Sequence, residues 1–154
     1  MIRQDAVISH CKKYRYTLSR IWDESRPVIL FIMLNPSKAD AEQDDPTIRR
    51  CIAFAKTWGY GGLLVGNLFA YRATNPASLY RRRDPVGELN DQYLLDMATE
   101  CERVVFAWGE HGSLKDAAQR IISLFPNAWC ICKNKSGMPK HPLYVRKDAV
   151  LIVY

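Results

Sequence analysis

A chain of 154 residues, 48% hydrophobic and 25% charged, is long enough to bury a core and too apolar to be disordered by composition. Lys and Arg outnumber Asp and Glu by six (22 against 16), which favours an anionic partner such as nucleic acid, although a solvated basic surface gives the same count. The five cysteines (Cys11, Cys51, Cys101, Cys130, Cys132) are odd in number and form no Cys-x-x-Cys pair, which argues for a reducing cytoplasm; no apolar stretch reaches signal-peptide or membrane-span length.

In chain order, Tyr14–Trp22 alternates loosely and reads as an edge strand or hairpin arm. Val28–Leu34 is apolar on both parities, as a strand covered on both faces must be. Asp45-Pro46 starts a helix: Asp accepts from free first-turn amides, and Pro tolerates the first helical position. Ile48, Cys51, Ile52, Phe54 and Ala55 form its apolar stripe, and Gly59 ends it. Leu63–Leu68 is the next buried strand. Helices are expected over Glu88–Glu100 and Ser113–Phe125, with Pro126 stopping the latter. Val104–Trp108 and Ala128–Cys132 are further strands, and Ala149–Tyr154 is a candidate for one more. Cys130 and Cys132 alternate on a strand, which fits core packing better than metal ligation. No repeat or linker divides the chain, so residues 1–154 read as one α/β domain with a mostly parallel sheet.

Parallel sheets bind ligands outside the carboxyl ends of their strands. Those ends carry Asn35-Pro36-Ser37, Asn67 with Phe69 and Arg72 beyond it, and Glu110-His111. The strand Ala128–Cys132 is followed by a basic loop containing Lys133, Lys135 and Lys140, which leads into His141-Pro142-Leu143-Tyr144. Asn67 sits inside an apolar run, where an amide is costly unless paired. Asp45 fits a helix cap better than a catalyst. Arg81-Arg82-Arg83 fits a solvated patch that could touch phosphates. No nucleophile elbow, P-loop, dinucleotide fingerprint or zinc-protease motif is present.

The order of these motifs resembles the uracil-DNA glycosylase superfamily. Met33-Leu34-Asn35-Pro36-Ser37 looks like its first motif, Gly66-Asn67 with Arg72 and Asn75-Pro76 like its second strand, and His141-Pro142 like the start of its His-Pro-Ser motif. Met33, Ser37 and Leu143 depart from that pattern. Asn35-Pro36-Ser37, Asp45-Pro46-Thr47, Trp58-Gly59-Tyr60 and Asn67-Leu68-Phe69 together resemble domain-of-unknown-function family 1643.

The superfamily resemblance implies a three-layer α/β/α sandwich around a central, mostly parallel four-stranded sheet, with an N-terminal hairpin as an addition. It implies a monomeric DNA glycosylase without metal or other cofactor. Asn35 would orient water and His141 would stabilise the leaving base. Asn67, Pro36 and an aromatic would hold the base, with Phe54, Phe69 and Tyr71 the candidates for stacking and Phe69 preferred. Leu143 or Tyr144 would fill the gap left in the stack. Ser37, Arg72, Lys133, Lys135, Lys140 and Arg146 would hold phosphates. The alternatives are a non-catalytic reader of nucleic acid or nucleobase, and a protein acting on free nucleosides or nucleotides.

Overall fold

The computed structural model describes residues 1–154. The chain opens with the hairpin β1 (Arg3–Ile8) and β2 (Arg15–Ile21), then runs β3 (Val28–Met33), α1 (Pro46–Thr57) and β4 (Gly62–Asn67). It continues through α2 (Ala77–Arg81), α3 (Asn90–Thr99), β5 (Arg103–Phe106), α4 (Ala117–Leu124), β6 (Trp129–Cys130) and β7 (Ile152–Val153). Short 3-10 turns occupy Glu110–Asp116 and Pro142–Tyr144.

All seven strands belong to one sheet, in the order β1-β2-β4-β3-β5-β6-β7. β4, β3, β5 and β6 are mutually parallel. β1, β2 and β7 join through antiparallel pairs. The α/β class holds, but the expected four-stranded, mostly parallel sheet is corrected to a seven-stranded mixed one. The extra strands carry little apolar signal. β1 reads RQDAVI and is exposed over its first half, and β7 is two exposed residues. Short, half-solvated edge strands leave only a weak periodicity in sequence. β2 is not an edge strand, because it lies between β1 and β4.

The helix expected over 113–125 is also shorter. Lys115 and Asp116 adopt φ of 52° and 56°, and α4 begins only at Ala117. α1 matches its start signal: Asp45 caps it by accepting from the Ile48 N–H at 2.9 Å. α1 covers one face of the sheet, where Ile48, Cys51 and Ala55 meet Phe31, Val65 and Val105. α2, α3 and α4 cover the other, where Leu79, Leu94, Met97 and Ile121 meet Leu30, Ile32 and Phe106. Gly66 permits the close approach of α3; a Cβ there would come within 2.3 Å of Leu94 Cδ2 and 2.8 Å of Met97 Cε.

Two topological features position the site. The chain passes from β3 outward to β4, then crosses back over β3 to β5, so the direction of sheet growth reverses at β3. Such a reversal opens a crevice at the carboxyl ends of the strands. β2 runs antiparallel to β4, with Leu18 opposite Val65, so β2 starts at that same rim.

Candidate functional site

A cavity of ≈ 720 Å³ occupies the crevice. That volume suits a small organic ligand rather than a lone water cluster. Its walls come from the ends of β3 and β4, the segment after β5, the first turn of α1, and the loop through Lys140 and His141. Asn35, Asn67 and His141, which the sequence placed at one rim, all line this one cavity.

Asn35 is fixed by its own amide. Nδ2 donates to the Ala73 carbonyl at 2.7 Å and to the Pro36 carbonyl at 3.1 Å. Both amide hydrogens are thereby used on the main chain, and Oδ1 is left as an acceptor. Asn67, the last residue of β4, is 1% exposed. Neither its Nδ2 nor its Oδ1 has a partner in the protein. An unsatisfied buried amide costs about 1–3 kcal/mol, and this one lines the cavity. It is a paired donor and acceptor held ready at no cost in side-chain ordering.

His141 ends the loop after β6 and caps the turn Pro142–Tyr144. Its Nδ1 accepts from the Leu143 N–H at 3.2 Å, which assigns the ring proton to Nε2. Burial holds the imidazole below its ordinary pKa, with Asp45 pulling the other way. A neutral ring with an available Nε2 donor is the result. Gly109 supports this arrangement: its φ is +79°, its N–H donates to the Pro139 carbonyl at 2.8 Å, and the His141 Cβ packs beside it. Arg50 of α1 donates to the carbonyls of Pro142 and Val145, which ties the turn to the helix.

The other expected residues divide. Pro36, Ser37, Lys140, Leu143 and Tyr144 line the cavity. Leu143 and Tyr144 are 44% and 76% exposed, an apolar pair standing at the mouth. Phe69 does not join them; it is fully buried in the core beside Leu68 and Leu79. Phe54 is likewise buried, against Trp58. Tyr71 and Arg72 line a separate, adjoining groove. Lys133 lies over the Tyr154 ring at 4.8 Å and Arg146 pairs with Asp148, so neither reaches the cavity; Lys135 is exposed outside it.

Arg15 was not anticipated. It is 2% exposed, yet it lines the cavity. Nη1 donates to the Ala39 carbonyl at 2.9 Å, Nε has no partner, and no carboxylate lies within ion-pair distance. Burial lowers its pKa to about 10, with Asp45 opposing, so the guanidinium stays charged at neutral pH. Asn90 was missed as well. It is fully buried at the start of α3 and donates to the carbonyls of Asn67 and Leu68 at 2.8 and 3.4 Å, holding the end of β4 in place.

A family model described as "Protein of unknown function (DUF1643)" matches residues 15–143, and the chain belongs to that family. The match contains every cavity-lining residue except Tyr144. No curated protein and no solved structure matches the chain.

Proposed function

We propose that this DUF1643 protein is a DNA glycosylase, hydrolysing the N-glycosidic bond of a base taken out of its stack. The observation that carries the reading is the convergence of three differently prepared polar groups on one cavity: Asn35 with a free acceptor, Asn67 with a free donor and acceptor, and His141 as a neutral donor. The resemblance of Asn35-Pro36 and His141-Pro142 to uracil-DNA glycosylase motifs supports it.

Breaking an N-glycosidic bond leaves positive charge on the sugar and negative charge on the departing base. His141 Nε2–H donates to a carbonyl oxygen of the base as that charge develops. Losing one such preorganised donor costs about 3–4 kcal/mol of transition-state stabilisation. Asn35 Oδ1 accepts from the attacking water and aims it at the sugar carbon. Asn67 pairs with the base edge through one donor and one acceptor. Extruding a base costs a few kcal/mol, least at mismatches and in single strands. Leu143 and Tyr144, exposed at the mouth, fill the space it leaves.

The test is incubation with oligonucleotides carrying uracil, hypoxanthine, mismatches or modified bases, followed by mass spectrometry of released bases. Release by the wild type, reduced at least tenfold in Asn35→Ala, is expected. No release from any substrate would sink the reading. A non-catalytic reader on the same site is favoured by one observation: both carboxylates that line the cavity are already engaged, Asp45 in capping α1 and Glu110 in accepting from Ser136 Oγ. That reading predicts binding without release.

A further inference from the structure

We propose that the phosphates of the bound strand lie in the groove beside the β1–β2 turn and lead to Arg15, rather than along the Lys133–Lys140 loop. This rests on the base-recognising reading of the cavity and names the path by which a polymer reaches it.

The groove has a volume of ≈ 600 Å³ and is lined by Lys12, Lys13, Lys38 and Arg72, with no carboxylate among its lining residues. It adjoins the cavity: Ser37, Ala73 and Thr74 line both. Asp40 is an opposing charge that acts on Arg72, and its Oδ1 already accepts the main-chain N–H groups of Glu42 and Gln43. Four cations around one groove, with no carboxylate on its walls, make a basic surface. A row of phosphates laid on it releases its own condensed counter-ions.

Arg15 lines the cavity, and its main chain is paired with the segment that carries Arg72 of the groove. The Arg72 N–H donates to the Lys13 carbonyl, the Arg15 N–H donates to the Ala70 carbonyl, and Tyr14 bridges Tyr71. This small ladder sets Lys13, Arg15 and Arg72 side by side. Arg15 is the buried member, with an unpartnered Nε and no ion pair. A buried guanidinium in this state lacks an oxyanion, and a phosphate next to the extruded base supplies one bidentately. The basic loop across the sheet offers less. Lys133 is engaged with Tyr154 and Arg146 with Asp148, and of the loop's lysines only Lys140 lines the cavity. A membrane surface would also satisfy the cations, but a flat bilayer gives no reason for them to lead into a base-recognising cavity.

The experiment measures binding of a fluorescent single-stranded 15-mer by anisotropy across a salt series. Five phosphate contacts, four in the groove and one at Arg15, predict a log K against log [salt] slope of about −3.5. Lys12→Gln/Lys13→Gln, at two exposed positions that leave the fold intact, shallows the slope by about 1.4. Arg15→Met lowers affinity at least tenfold. Lys133→Gln/Lys135→Gln leaves both quantities unchanged. A strand with one abasic site retains the slope, which separates this proposal from the glycosylase reading: release can fail while the slope stands. Base release from free nucleosides with no strand binding would overturn the groove and spare the chemistry. Slope loss confined to the Lys133/Lys135 variant, or binding to phosphatidylserine vesicles that the 15-mer does not compete away, would also overturn it.

Discussion

The two ends of β2 each bury an arginine, and the two are treated in opposite ways. At Arg20 every arm of the guanidinium is closed. Nε pairs with Asp44 at 2.8 Å, and the other nitrogens donate to the carbonyls of Ser19, Asp40 and Gln43. At Arg15, five residues earlier on the same strand, one arm reaches Ala39 and the buried Nε has no partner. The same residue type is a structural tie where its hydrogen bonds are complete and, on the proposed reading, a phosphate receptor where they are not. Asn90 and Asn67 repeat the contrast. Asn90 spends its Nδ2 on the backbone of β4, whereas Asn67 spends nothing.

The largest expected effect separates the arginines. Arg20→Met strands Asp44 and three carbonyls and should cost about 3–5 kcal/mol, lowering Tm by about 10 °C in thermal denaturation. Arg15→Met removes a buried charge that makes no direct ion pair and should leave Tm within about 3 °C while abolishing tight strand binding. Equal destabilisation by the two variants would erase the distinction.

The asparagines should split by sign. Asn90→Leu takes the side-chain donor from the Asn67 carbonyl, while Leu68 keeps Arg120, and should lose about 1–3 kcal/mol in urea denaturation. Asn67→Leu removes an orphaned amide of similar volume and should gain about 1–3 kcal/mol while losing base recognition. Loss of stability in both would mean that Asn67 is tied into the fold after all.

The smallest effect concerns pH. His141 is active when neutral, because protonating Nδ1 breaks the bond from the Leu143 N–H. Burial first, against the opposing pull of Asp45, sets its pKa below the ordinary value. The folded state therefore favours the neutral ring. Its contribution to stability is complete above about pH 6.5, the ordinary histidine value, and is lost as pH falls through the lower folded value. The acid limb of kcat/KM should follow the same sign, falling below pH 6.5, and should vanish in His141→Asn. An acid limb above 6.5 would contradict the burial argument.

Much of this was legible in the sequence. Apolar runs located β3, β4 and β5, Asp45-Pro46 located α1, and the carboxyl-end rule led to Asn35, Asn67 and His141. The rest was hidden for physical reasons. β1 and β7 are solvated edges without strong alternation. Arg15 shares its parity with Thr17 and Ser19, so it reads as solvent-facing; only the segment through Ala39 covers it. It also stands at the start of a strand, and the carboxyl-end rule searches the other end. An antiparallel neighbour brings its first residue to the rim where parallel strands finish. Phe69 fails the other way: near the site in sequence, it turns into the core.

The central claim is that Asn67 is left unpaired in order to meet a base. Its side-chain amide can be watched by ¹⁵N NMR, assigned against Asn67→Leu, while uracil, thymine, cytosine, adenine and hypoxanthine are added in turn at millimolar concentration. At least one base should shift the Asn67 Nδ2 resonances and slow their hydrogen exchange, with no effect on those of Asn90. If no base moves Asn67, or if its amide is already protected without ligand, the account of this site is contradicted.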